Sequence, residues 1–459
     1  MAISRGLSWF HPMDIRHYSS FLDMLRGQDP SSPAIVFKQE NGKSVLDYAS
    51  LIRLVEDFPV EEHGCVGIFA DESLSSILAI LAYASAHIQI ALLSPLEDPR
   101  VLVKQIQAAD IDFLLGPKEL TEGLSEALSK NKAEGVGNIL FFTSGTTSSN
   151  KAVVLTQESL CSSAFNGASL LPLSPKDLLY SCLPLSHVFG FVCSFLWPLS
   201  CGASLALGGG IKSFFTDFLF YRPTAVSLVP QMAGFLLAHR LLNPELRLIL
   251  IGAGDCPESV LQALRGQGIR VSFGYGLTET SSGVALSLGE DPKAMTLCPE
   301  VEAKLGEDGE ILLSCPSLVM KGYYKDRKST EGAFSQGYLK TGDLGRIDDD
   351  GLLHVIGRKK EMLVLSDGSK IFLPEFEAKL ASFLGEGVDF AACLSKKGQV
   401  VLCVGKAKMG DDYSQAVLAF NQTCPYSHRI AQTQYFSDPL PRTQTGKIKR
   451  WQLPLLLVD

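Results

Sequence analysis

Between two apolar runs, residues 139–142 and 152–155, the chain places seven consecutive hydroxyl or glycine residues, then Asn150 and Lys151. Thr143, Ser144, Gly145, Thr146 and Thr147 open that segment. Small side chains leave backbone N–H groups accessible, and with hydroxyls and one cation they are the parts that surround a phosphate. The common nucleotide loop GxxxxGK[ST] is excluded, because Asn150 stands where the glycine before the lysine would be.

Four further stretches carry groups of the same kind. FGYGLTET at 273–280 ends in an aromatic ring, glycines, a hydroxyl and a carboxylate, and YLKTGDLG at 338–345 sets Asp343 on a glycine-flanked turn. GRKKEMLVLSDGSKIFLPEFE occupies 357–377, and PRTQTGKIKR at 441–450 presents Lys447 on a Gly/Thr loop. Each stretch alone would read as a turn, a cap or a solvated lysine. Their joint order is what needs an explanation.

The elements that must position these groups follow from periodicity. Short apolar, β-branched-rich runs at 34–37, 66–70, 90–93, 139–142, 225–229, 248–251 and 270–275 alternate with helical patterns such as 73–86 and 258–265. This alternation predicts an α/β fold with largely parallel sheets. From about residue 303 the texture changes to strands joined by Asp-Gly pairs, a hairpin signal. After GRKKE a strand, a Ser-Asp-Gly turn and a Pro-started helix at LPEFEAKLASFL are expected. The expected organisation is a large N-terminal part, 1–357, of layered α/β sheets plus a β-subdomain. A hinge at 358–360 then leads to a small mobile α+β domain, 361–459.

Bulk properties narrow the function classes. A chain of 459 residues is too long for one compact core. The net charge of −8 argues against a nucleic-acid or anionic-membrane partner. Eleven scattered cysteines show no CxxC and no metal-ligand spacing, which fits a reducing compartment better than a disulfide framework. The most apolar stretch, 77–93, is interrupted by Ser85, His87 and Gln89, so it predicts a buried helix leading into a strand and no membrane span. A cytoplasmic protein is the expectation.

Taken together, the SGTT, YGLTE, TGD, GRKKE and TGK motifs resemble those of the adenylate-forming superfamily: acyl-CoA synthetases, peptide-synthetase adenylation domains and luciferases. The resemblance runs from about residue 77 to residue 450. It implies activation of a carboxylic acid as an acyl-AMP with loss of pyrophosphate, then transfer to a phosphopantetheine thiol of CoA or a carrier protein. ATP and Mg²⁺ are the implied cofactors. By resemblance, Thr143, Ser144, Gly145, Thr146, Thr147 and Lys151 cover the β- and γ-phosphates, and Tyr275 stacks on adenine beside Gly276. Gly252, Ala253 and Gly254 line the other side of the base. Thr278 meets the α-phosphate, Glu279 holds Mg²⁺, and Asp343 takes the ribose hydroxyls with Arg358 alongside. Lys447 bridges the carboxylate and α-phosphate, Lys360 sits at the hinge, and Gly368 gives the thiol arm room. His187 gates or lines an acyl pocket with Phe189, Phe191, Val229 and Leu277.

Two departures and two alternatives complete the expectation. Ser148, Asn150 and Ala152 stand where the family's loop carries glycine, proline and glycine, which implies weaker or slower ATP handling. Phe189 falls about where amino-acid-activating relatives carry an aspartate. A phenylalanine leaves a buried ammonium unpaired, so an apolar acyl or aryl acid is expected. The LSDGSK turn looks like that of fatty-acyl ligases, which leans toward an aliphatic acid. A nucleotide-binding relative without ligase activity and an aryl-acid adenylating enzyme remain as alternatives.

Overall fold

A computed structural model describes residues 17–457 except 41, 132, 144–150, 255, 386 and 443–447, with the backbone only at Trp451. The chain divides into two compact units. The first holds most of the chain to residue 354. The second holds 355–459 together with the segments 307–310 and 342–345, so Asp343 belongs to the second unit.

The first unit contains two large sheets. In one of 14 strands, Leu178–Ser181, Ala225–Leu228, Leu248–Ile251 and Arg270–Leu277 lie side by side and parallel. Leu228 stands beside Ile251, and Ile251 beside Phe273, so the first two strands end level while the third runs on to Leu277. Ser282–Leu286 then continues the sheet antiparallel.

The second sheet has six strands, in the order Gly322–Tyr323, Ala152–Leu155, Ile139–Phe142, Gln89–Leu93, Cys65–Phe69, Phe113–Leu115. The four central strands are buried at every position. Both faces are covered, which is why they read as unbroken apolar runs and not as alternations. Helices Leu74–Ser85 and Gln157–Leu170 share one core with both sheets. Thr156 closes the second helix's N-terminus with a capping box, its hydroxyl accepting the Ser159 N–H at 3.0 Å. The 77–93 stretch is the expected buried helix running into a strand. Among the described residues no helix is long and apolar enough to cross a membrane.

In the second unit, Asp389–Leu394, Val400–Gly405 and Ile430–Tyr435 form a three-stranded sheet against helices Leu373–Leu384 and Ser414–Gln422. The helix after the Ser-Asp-Gly turn spans Leu373–Leu384, as the sequence predicts, but a short strand precedes it. Lys370–Phe372 first pairs back onto Met362–Val364, because Ile371 buries its side chain while Lys370 stays exposed, a period-two pattern. All eleven cysteines are free, and Cys182 and Cys403 are buried small hydrophobes, as their apolar settings imply.

Candidate functional site

The parallel strands carry several of the singled-out residues at or just beyond their carboxyl ends. Open α/β sheets bind ligands in that position. Val229 follows one strand, Gly252, Ala253 and Gly254 follow the next, and Tyr275, Gly276 and Leu277 finish the third. Gly252 donates its N–H to the Leu228 carbonyl at 3.1 Å, tying two of these ends together. Ala253 adopts a left-handed backbone, φ 66°, which turns the chain just beyond the strand end.

Three glycines are there for space. A Cβ on Gly252 would stand 2.6 Å from Cζ of Phe189, so the half-buried ring of Phe189 lies directly against this backbone. A Cβ on Gly190 would meet the Pro184 carbonyl oxygen at 2.3 Å. At Gly276 it would stand 1.7 Å from the Ser282 carbonyl oxygen on the neighbouring strand. The 3₁₀ turn Thr278–Thr280 grows from that close pairing. Leu277 donates its N–H to the Thr280 hydroxyl at 3.0 Å, and Thr280 donates to the Ser282 carbonyl at 2.9 Å. Thr278 and Glu279 are therefore held half-buried on a fixed turn.

His187 and the two phenylalanines separate. His187 opens to solvent, yet the protein around it desolvates the imidazole enough to lower its pKa, with Glu97 pulling the other way. Phe191 is wholly buried, its ring 5.9, 5.4 and 5.2 Å from those of Phe21, Phe141 and Phe195. That places Phe191 in the aromatic core, whereas the ring of Phe189, two residues earlier, packs against Gly252.

The hydroxyl-rich loop springs from a buried hairpin. Ile139–Phe142 pairs antiparallel with Ala152–Leu155, and Thr143 donates its N–H to the Lys151 carbonyl at 3.1 Å to close the loop's mouth. Ser144, Gly145, Thr146 and Thr147 lie outside the described residues. Lys151 sets its ammonium 4.5 Å from the centre of the Tyr323 ring. The Tyr323 hydroxyl donates to Glu279 Oε1 at 2.8 Å.

Sequence reasoning passed over this tyrosine in KGYYKDRKST. The available signal was a glycine before paired aromatics, with a threonine seven residues after Tyr323. Gly322 has φ 146°, and a Cβ there would meet Thr330 Cγ2 at 2.7 Å, while the Tyr323 N–H donates to Thr330 Oγ1 at 2.9 Å.

In the second unit, Asp343 is buried and receives Arg358 Nε at 2.9 Å. Asp343 lies within the strand Tyr338–Ile347 and not on the expected turn; beside it the Gly342 N–H donates to Glu310 Oε1 at 2.9 Å, and Lys359 reaches the other Glu310 oxygen at 3.1 Å. Lys360 is exposed on the 3₁₀ turn Lys359–Glu361. Gly368 occupies the left-handed region at φ 80°, with open space where a Cβ would sit. Lys447 lies outside the described residues. On either side of its segment, Arg442 and Ile448 form an antiparallel bridge.

Residues 138–324 match the AMP-binding enzyme family. The 2-succinylbenzoate–CoA ligase of Bacillus cytotoxicus is 30% identical over 346 residues, which cover 70% of this chain and 70% of that protein. Probable CoA ligase CCL9 of Humulus lupulus is 30% identical over 347 residues, and this chain spans 65% of its length. The AMP complex of O-succinylbenzoate coenzyme A synthetase from Bacillus subtilis has the same fold. Its TM-score is 0.78 at 22% identity, over 95% of this chain and 98% of that one. On the family match and the ligase relatives, the chain belongs to the AMP-binding enzyme family, among its AMP-forming acid–CoA ligases.

Proposed function

We propose that the chain activates an apolar carboxylic acid as its acyl-AMP, releasing pyrophosphate, and passes the acyl group to the thiol of CoA. The observation that carries this reading is the gathering of Gly252, Ala253, Gly254, Tyr275, Thr278 and Glu279 at the carboxyl ends of two adjacent parallel strands, with the Phe189 ring against Gly252. A carboxylate and ATP repel each other, and negative charge builds on the α-phosphate oxygens as the carboxylate attacks. The protein's share of the work is positioning and charge stabilisation.

In this reading Tyr275 and the 252–254 backbone hold adenine, Thr278 contacts the α-phosphate, and the loop from Thr143 to Lys151 covers the outer phosphates. Asp343, with Arg358 fixing its carboxylate, takes the ribose hydroxyls. Glu279 suits Mg²⁺: it is a half-buried carboxylate on a rigid turn, and Mg²⁺ selects oxygen ligands. Mg²⁺, when bound, supplies charge neutralisation for the phosphates. Lys447 is assigned to the adenylation step, Lys360 to the hinge, and Gly368 to the thiol's passage. Thiol attack on the acyl carbonyl then expels AMP.

Phe189 supports an acid without an α-amine, since an ammonium beside this ring would be desolvated and unpaired. The test is pyrophosphate release with ATP, Mg²⁺ and a panel of aliphatic, aromatic and α-amino acids, followed by addition of CoA or a holo carrier protein. Turnover with apolar acids and thioester formation with CoA are expected. Activity confined to α-amino acids would overturn the assignment of Phe189, and thioester formed only on the carrier would replace CoA as acceptor.

A further inference from the structure

The segment 320–324 connects two parts of the first unit that the nucleotide reading treats separately. Its Met320 N–H donates to the Glu279 carbonyl at 2.8 Å. The Lys321 and Tyr324 N–H groups donate to the carbonyls of Val154 and Ala152, at 2.9 and 2.8 Å, on the strand that leaves Lys151. The same few residues therefore strap the Glu279 turn to the base of the hydroxyl-rich loop.

Tyr323 is the side chain that spans the two. Its hydroxyl donates to Glu279 Oε1, and its ring lies beneath the Lys151 ammonium. The strap is anchored at its far end as well. The Tyr324 hydroxyl donates to Asp110 Oδ2 at 3.1 Å, and Lys325 reaches the same oxygen at 2.6 Å.

We propose that Tyr323 is a positioning residue that orients the Glu279 carboxylate for a divalent cation and holds Lys151 for the phosphates of a nucleoside triphosphate. The proposal rests on the nucleotide-binding reading of the site. One hydroxyl limits rotation of the carboxylate, and one ring face fixes the ammonium by cation–π attraction. A merely structural tyrosine would have no reason to couple the cation requirement to nucleotide affinity.

The test is calorimetric binding of α,β-methylene-ATP to the full chain across a range of MgCl₂ concentrations, with melting temperatures measured alongside. Glu279→Gln should flatten the Mg²⁺ dependence. Tyr323→Phe keeps the ring and removes the donor. It should raise the half-saturating Mg²⁺ concentration about ten- to a hundredfold, the range for loss of one hydrogen bond to a charge. Affinity at saturating Mg²⁺ should stay within about twofold, because the cation–π contact remains. Tyr323→Leu should weaken that saturated affinity by a further two- to fivefold or so.

A Tyr323→Phe chain with wild-type Mg²⁺ dependence overturns the proposal. So does one that fails to fold, since the hydroxyl would then belong to the fold and not to the cation. A wild-type chain that binds no analogue at any Mg²⁺ concentration overturns the nucleotide reading itself. Wild-type Mg²⁺ dependence in Glu279→Gln overturns the metal assignment on which the proposal depends.

Discussion

Gly252 and Gly276 both lie toward the carboxyl ends of adjacent strands and both exclude a methyl group, but different obstacles stand in the way. A Cβ on Gly252 would be 2.6, 2.8 and 2.9 Å from three ring atoms of Phe189. Relaxed carbon–carbon contacts fall at about 3.5–4 Å, so the ring must retreat by roughly 1 Å. A half-buried ring can tilt outward. Gly252→Ala should therefore cost about 1–2 kcal/mol, toward the low end for overpacking. On Gly276 the obstacle is the Ser282 carbonyl oxygen at 1.7 Å, with the Ser282 carbonyl carbon at 2.5 Å and Gly283 Cα at 2.9 Å. Those atoms belong to a paired strand, and relief means opening the pairing that supports the Thr278–Thr280 turn.

Gly276→Ala should cost about 3 kcal/mol or more and abolish adenylation, in line with large mutational losses that have a named steric cause. Urea unfolding of each variant measures the stability change, and ATP–pyrophosphate exchange measures the activity. The decisive comparison adds Phe189→Leu. It should recover more than half of the Gly252→Ala loss and none of the Gly276→Ala loss, because only the first clash involves that ring. If Phe189→Leu and Gly252→Ala simply add, within the ~0.5 kcal/mol expected of independent sites, the contact argued here is wrong. Equal losses for the two glycine variants would refute it as directly.

Three further outcomes are expected. Glu72 is buried and accepts the Leu185 N–H at 3.1 Å, and desolvation, with the nearby Asp71 charge adding to it, raises its pKa from 4.5 to about 7. Because the folded value lies above the unfolded one, this group's contribution is full below about pH 4.5 and is lost as pH rises through about 7. Glu72→Gln should gain on the wild type by up to about 3 kcal/mol between pH 5 and pH 8, read from urea midpoints, and a constant difference across that range would dismiss the assignment. Asp343→Ala should raise KM for ATP about ten- to a hundredfold, the loss of charged hydrogen bonds to ribose, with a smaller change in kcat. An unchanged KM would remove Asp343 from the nucleotide site. Lys447→Ala should abolish acyl-AMP formation yet leave thioester formation from a supplied acyl-AMP intact, and equal loss of both half-reactions would cancel its assignment to adenylation.

The sequence disclosed most where a residue's burden is local. The four central strands of the six-stranded sheet are buried on both faces, so their apolar runs marked them without any knowledge of neighbours. The hairpin that bears the hydroxyl-rich loop was readable for the same reason, and so were the Asp-Gly turns after residue 303. The helix start at Leu373 was readable from Pro374, but the strand Lys370–Phe372 before it was not. Three residues are too few to display an alternation.

Direction was the harder property, and PLSHVFGF shows why. Phe189 and Phe191 are the same residue type, two positions apart, and the motif offered both to a pocket. The chain there runs Val188–Gly190 as a short helical turn and then Phe191–Leu196 as a π-helix. Neither a period of two nor one of 3.6 describes that path, so no pattern could say which ring turns inward. The close packing of Gly190 on the Pro184 carbonyl sets the path, and the two rings part at that glycine. Tyr323 escaped notice for a related reason. Its value comes from two partners, Lys151 and Glu279, that lie 172 and 44 positions away in sequence. The local signal, a glycine before paired aromatics, reports the turn's backbone and not the two distant contacts. Such residues should therefore be sought among the contacts that two recognised motifs share.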